Sequence, residues 1–341
     1  MAETPTNQTQ NTFAIQLAEV FAPTLTPLWH LAPQLGVTHA VVSIPDGPDD
    51  PPPWDYRGLL GLKQRFVDAG LELAVVESAP ASIMEPVKLN LPNRDERIGR
   101  FCELLENMGR VGIPVMCHNW MAGFGWLRTD MAIPARGGAV VTGYSHSALD
   151  HGQLTEWGEI TEEAHWANMK DFLRRVVPVA EKAGVKLAVH PDDPPLSPIR
   201  GIGRILTSPD AFQRVIDTVP SPNNGITFCQ GSFATMGADV PATIRHFGGQ
   251  GKIHFVHFRD VRGTPEAFVE TFHDDGQTDM FAAMQAYAEV GYHGPLRPDH
   301  VPTMHGEENE RPGYALLGRL YALGYIKGLI DGAKAGLTTE N

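Results

Sequence analysis

Short apolar runs alternate along this chain with longer stretches whose apolar positions recur every three or four residues. Apolar runs bounded by turn residues fit buried strands, and the three-and-four spacing fits amphipathic helices. Read this way, residues 13–20, 37–44, 71–77, 113–118, 186–190, 225–229, 252–258 and 296–298 are expected strands. Helices are expected over 26–35, 56–69, 95–111, 162–183, 210–218, 241–247, 280–290 and 312–334. In the third of these, Ile98, Phe101, Leu104, Leu105 and Met108 share a face. Gly184 follows the fourth, where a helix-ending glycine belongs. Residues 1–12 are polar and threonine-rich and read as a frayed tail, and the proline-rich stretch 45–54 reads as a loop. Residues 121–160 are glycine-rich with little periodicity and read as a long loop or lid.

Repeated strand-then-helix order argues for a parallel sheet with helices outside. Some eight such units, without a composition shift between halves, fit an α/β (β/α)8 TIM barrel filling residues 13–341 as a single domain. No Gly-x-Gly-x-x-Gly follows an early strand and no Walker-type loop is present, so neither nucleotide-binding fold has its fingerprint.

Charge narrows the function. The 341 residues carry 27 basic and 40 acidic side chains, a formal charge of −13, so no global basic field awaits nucleic acid or an anionic membrane. A small anionic substrate would need a local positive centre. The 35 glycines and 28 prolines are scattered, which indicates shaped loops rather than disorder. The first basic residue is Arg57, which fits neither a secretory signal nor a presequence, and no apolar run approaches the ~18 residues of a membrane span. Cys102, Cys117 and Cys229 cannot form a disulfide framework and fit a reducing cytoplasm.

The chemistry collects at strand ends, where a barrel of this kind holds its active site. Four consecutive expected strands end in His190, Cys229, His257 and Asp299. Packing would favour Val, Ile or Leu there, whereas all four residues are ligands for first-row metals. His254 and His257 are three apart and so face opposite sides of a strand; His257, nearer the C-terminal end, is the expected ligand. A thiolate suits Zn²⁺, Fe²⁺ or Mn²⁺ better than Mg²⁺ or Ca²⁺. Asn119 and His118 end the fourth strand and are expected to face the site, with Cys117 pointing outward and Cys102 in the core.

These residues resemble the mannonate dehydratases, sugar-acid lyases on a xylose-isomerase-like barrel. The resemblance rests on Val75-Val76-Glu77-Ser78, Cys117-His118-Asn119 with Trp126-Leu127-Arg128-Thr129-Asp130, and His190-Pro191-Asp192-Asp193-Pro194-Pro195. It continues through Cys229-Gln230-Gly231-Ser232, His257-Phe258-Arg259, Phe272-His273, Asp279-Met280, Arg297-Pro298-Asp299-His300 and Pro312-Gly313-Tyr314. It implies a divalent metal, usually Mn²⁺ with Fe²⁺ and Zn²⁺ as alternatives, on His190, Cys229, His257 and Asp299. It also implies catalytic roles for His300 and Tyr314. The chain departs from the family pattern near Glu19–Pro27, between Asn119 and Trp126, and just after His273, all at loops expected to face the substrate.

The expected reaction is dehydration of a D-mannonate-like aldonate to a 2-keto-3-deoxy acid. Removing the C2 proton and expelling the C3 hydroxide call for a Lewis acid, a base and an acid. Arg259 is the expected carboxylate clamp, with Asp193, Arg128 and His273 as further substrate contacts. Each has a plainer alternative: Arg259 pairing with Asp260 or Glu270, Asp193 capping a turn, Arg128 pairing with Asp130. Competing functions are sugar isomerisation or epimerisation on the same barrel, or sugar-acid binding without catalysis. A homodimer is expected, since barrels of this kind often dimerise.

Overall fold

The computed structural model describes residues 13–48, 50–150 and 152–339, so the expected tail at 1–12 lies outside the described residues. In chain order the strands are Gln16–Phe21 (β1), His39–Val42 (β2), Glu72–Glu77 (β3), Val115–Asn119 (β4), Asp130–Pro134 (β5) and Val140–Ser145 (β6). Then come Lys186–His190 (β7), Asn224–Cys229 (β8), Ile253–Phe258 (β9), Val261–Thr264 (β10), Ala267–Glu270 (β11) and Pro295–Pro298 (β12). Eight of them close a parallel barrel in the order β1-β12-β9-β8-β7-β4-β3-β2. This is the expected (β/α)8 architecture.

Strand alternation sorts the core into two layers. Leu73, Met116, Val189 and Phe228 pack outward against the helices. Ala18, Val41, Val75, Cys117, Ala188 and Phe255 form a separate cluster inside the barrel. The helices start where side chains can cap them: Asp55, Thr161, Ser208, Asp239 and Asp279 each accept a hydrogen bond from an N–H of the first turn. Left-handed glycines, Gly112 and Gly184, end the helices Arg94–Val111 and Glu162–Ala183.

Four differences from the sequence reading bear on the site. The stretch 121–160 is not a bare loop: β5 and β6 lie in it and join β10 and β11 in an antiparallel sheet of order β10-β11-β6-β5. That sheet unites the excursions after barrel strands β4 and β9, and a bridge from Val140 to Thr303 ties it to the segment after β12. The helix Ala81–Lys88 follows β3, where Pro80 and Pro86 obscure its periodicity. A short helix, Gln230–Thr235, starts directly after Cys229. The closing helix starts at Leu316 rather than 312, so Tyr314 sits on the turn before it.

Candidate active site

A cavity of about 420 Å³ opens at the C-terminal ends of the strands, a size suited to a small metabolite. His190, His257, Asp299, His300, Tyr314, Asn119 and Asp193 line it, together with Glu77, Trp126 and Arg297. Of the expected ligands, His190, Cys229 and His257 converge, with one donor atom of each within 4.8 Å of the others. Asp299 stands beside them, Oδ2 lying 3.5 Å from His257 Nδ1.

The partners of the two imidazoles orient their rings. His190 Nδ1 donates to the Pro191 carbonyl at 2.7 Å, leaving Nε2 as the lone-pair nitrogen. His257 Nε2 faces Glu77 Oε1 at 3.1 Å and its Nδ1 faces Asp299 Oδ2 at 3.5 Å, both of them partners that only accept. His190 Nε2 and His257 Nδ1 are 3.1 Å apart. A proton on His257 Nδ1 satisfies that contact, and a shared cation in its place would do the same. Two nitrogen donors at ~2.1 Å from a shared cation, at right-angled to tetrahedral geometry, lie roughly 3.0–3.4 Å apart.

The charges agree. Burial and Arg297 press His257 toward neutrality, yet Glu77 and Asp299 raise it to about 10. Burial alone would raise the Cys229 thiol, but Arg259 and contacts with His190 and His257 hold it well below its ordinary value, as a thiolate donor. Two imidazoles, a thiolate and a carboxylate are a donor set for a first-row divalent metal, and the residues fit one.

Around this centre runs a buried ionic lattice. Glu77 accepts from Arg297 Nη2 at 2.9 Å and Nε at 3.0 Å, and Arg297 Nη1 also reaches Asp299 Oδ1 at 2.9 Å. Burial would raise the Glu77 carboxyl, but Arg297 and His257 pull it down to about 2. Arg259 donates to Glu270 at 2.9 and 3.0 Å, to Asp193 at 2.8 Å and to Ser232 at 3.2 Å. Gly231 makes room for it, because a Cβ there would stand 2.4 Å from Arg259 Nη1. Arg128 grips Asp193 at 2.7 and 2.9 Å and also pairs with Glu270.

These contacts correct four expectations about substrate binding. Arg259 and Arg128 do not line the cavity; both are buried, and their forks are filled by Asp193 and Glu270. For Arg259 the plainer alternative, pairing with Glu270, is what the structure has, although in the interior. His118 points outward, its ring against Phe101 and Phe172 of the helix layer, because Val115, Cys117 and Asn119 take the inner face of β4. Burial pushes His118 down to about 3. His273 is buried outside the cavity lining, and burial holds it down to about 4. Cys117, expected outside, lies inside with its sulfur 3.2 Å from Thr227 Oγ1. Asn119 and Asp193 do reach the cavity. His254 bonds the Leu187 carbonyl at 2.8 Å, away from the cavity lining, as expected of the bystander.

His300 and Tyr314 share the cavity wall. Their rings meet edge to face at 5.5 Å, and Trp126 leans on His300 at 4.8 Å. His300 has a φ of 28°, a left-handed backbone unusual for a side-chain-bearing residue and typical of functional sites. Tyr314 Oη donates to Asp299 Oδ1 at 3.2 Å, and burial followed by the Asp299 charge raises the phenol well above its ordinary value. Sequence reasoning passed over Glu77, which ends β3 and satisfied the same strand-end criterion, and Arg297, two residues before Asp299. Glu270, considered in the sequence only as a partner for Arg259, gave no strand-end signal because it ends β11 of the antiparallel sheet.

The D-mannonate dehydratase (UxuA) family model matches residues 28–156 and 149–340, nearly the whole chain. The chain belongs to the mannonate dehydratase family. A mannonate dehydratase of Thermotoga petrophila is 37% identical over 329 residues, covering 86% of this chain and 89% of that protein. The crystal structure of mannonate dehydratase from Streptococcus suis serotype 2 superposes with a TM-score of 0.87 at 33% identity, covering 95% of this chain and 94% of the other. A xylose isomerase domain protein of Planctomyces limnophilus shares the fold at a TM-score of 0.58 and 14% identity, covering 96% of this chain and 99% of the other. Membership in the mannonate dehydratases makes the chain a hydro-lyase on a xylose-isomerase-like barrel, and not one of the isomerases built on the same frame. Among the described residues no helix is long and apolar enough to cross a membrane.

Proposed function

We propose that this protein dehydrates D-mannonate, or an aldonate of the same configuration about C2 and C3, to the 2-keto-3-deoxy acid. The observation that carries the metal-dependent reading is the convergence of His190 Nε2 and His257 Nδ1, 3.1 Å apart, beside Cys229. His190, Cys229, His257 and Asp299 would hold the divalent ion. Mn²⁺ is the first choice, and Fe²⁺ and Zn²⁺ are alternatives. When bound, the ion supplies Lewis-acid stabilisation of negative charge developing on the substrate's oxygens.

The chain's own groups supply the proton transfers. His300 Nδ1 is occupied by Glu270 and Arg128, so Nε2 is the nitrogen left to take the C2 proton. Tyr314 keeps its phenolic proton and gives it to the C3 hydroxyl, which leaves as water. The C2–H electron pair becomes the C2–C3 double bond, and the enol tautomerises to the ketone. Trp126, against His300, excludes water from that side of the cavity. The free thiols Cys102, Cys117 and Cys229 fit work in the reducing cytoplasm.

The test is incubation of the protein with D-mannonate and Mn²⁺, followed by detection of a 2-keto-3-deoxy acid. A panel of other aldonates run alongside defines the substrate. No product from any aldonate with any of the three metals would sink the reading and leave sugar-acid binding without catalysis.

A further inference from the structure

One positive charge in the cavity is not neutralised by the protein itself. Besides the histidines, six ionisable side chains of Asp, Glu or Arg type line the cavity: Glu77, Asp193, Asp299, Arg297, Arg311 and Arg319. Arg297 is held between Glu77 and Asp299, each at 2.9 Å. Arg319 pairs with the buried Glu19 at 2.8 Å. Asp193 is taken by Arg128 and Arg259. Arg311 remains. Its guanidinium meets no hydrogen-bond or ion-pair partner among the described residues, and it is exposed at the cavity rim.

Its position is well anchored. The Tyr314 N–H donates to the Arg311 carbonyl at 2.9 Å, and the Val301 N–H donates to the Gly313 carbonyl at 2.8 Å. The turn carrying Arg311 is thereby tied to the segment carrying Asp299 and His300.

We propose that Arg311 is the counter-charge for the substrate's carboxylate and selects sugar acids over neutral sugars and polyols. The proposal rests on the reading of the site as an aldonate dehydratase. A guanidinium fork matches a carboxylate with two parallel N–H···O bonds. Using Arg297, Arg259 or Arg128 instead would break a buried ion pair and leave a carboxylate uncompensated, a heavy cost. Arg311 has no such pair to break. A chain of formal charge −13 repels anions at a distance, and an unpaired cation at the rim offsets that repulsion where the substrate enters.

The test compares wild type with Arg311→Ala and Arg311→Lys in the metal-loaded full chain. For D-mannonate, kcat/KM should fall about 10–100-fold in Arg311→Ala, with most of the loss in KM. Arg311→Lys should recover part of it. Inhibition by D-mannitol, a neutral polyol of the same length, should change by less than about twofold. An unchanged KM, a loss confined to kcat, or equal weakening of D-mannitol would each overturn the proposal. If wild type neither binds nor dehydrates any aldonate, the functional reading falls with it. If wild type turns over and Arg311→Ala is indifferent, only this proposal falls.

Discussion

Glu270 Oε1 lies 2.9 Å from His300 Nδ1, and Arg128 Nη2 lies 3.2 Å from the same nitrogen. Nδ1 thus faces an acceptor and a donor at once. With a proton on it, Glu270 receives the bond; without one, Arg128 supplies it. The ring stays fixed in either tautomer. Replacing Glu270 with Gln should lower kcat about 10–100-fold with KM changed by less than about threefold. The melting temperature should fall too, because Arg128 and Arg259 lose part of a buried counter-charge. Steady-state kinetics with a thermal melt checks this, and an unchanged kcat would refute it.

Cys229 is the donor that marks the centre as suited to a transition metal. Cys229→Ala should lose the bound ion, measured as metal per chain after dialysis, and activity with it. A variant that kept full metal content would remove Cys229 from the ligand set.

Tyr314→Phe and His300→Asn separate chemistry from metal binding. Each should cut kcat by roughly 10²–10⁴ while the metal content stays near that of wild type. Elemental analysis alongside turnover numbers decides it. Loss of metal in Tyr314→Phe would mean that its bond to Asp299 serves the ligand set rather than the reaction.

His118 offers a test away from the chemistry. It is buried against aromatic rings with a pKa lowered to about 3, so the folded state keeps it neutral. Below an unfolded-state pKa of ~6.5 the unfolded chain binds the proton and the folded one does not. Its contribution is therefore present above that pH and is lost as pH falls toward 3, by up to ~1.4 kcal/mol per unit. His118→Leu should flatten the acid limb of a stability-against-pH curve and leave KM for D-mannonate within about twofold of wild type. A large rise in KM would return His118 to the substrate site.

The proposed ligand set was legible in the chain because barrel strands deliver their last inward residue to one place. His190, Cys229, His257 and Asp299 could be picked out by asking which polar residues end apolar runs. The same rule fails by one residue when a strand's phase is misjudged. The expected strand 113–118 extends to Asn119 as β4, with Cys117 inside and His118 outside. Local pattern fixes period two but not which face is which.

The arginines show a different limit. In a linear reading Arg259 is a carboxylate clamp and Arg128 a substrate contact, with Asp260 and Asp130 as the nearest acids in the chain. Their partners come from elsewhere: Asp193 lies 65 and 66 positions away, and Glu270 lies 142 and 11. Glu270 reaches them only because the hairpins after β4 and β9 pair into one sheet over the barrel mouth.

The roles of His300 and Tyr314 were implied by the motifs' resemblance to a family; by itself, then, the sequence determined the barrel and the strand-end donors. These follow from short-range periodicity and from a fold that gathers strand ends. Which cations are already spent, which partners the imidazoles face, and that Arg311 is left free among the described residues were decided only by the tertiary structure. Charge compensation depends on distance in space, and the chain order of an acid and a base says little about that distance.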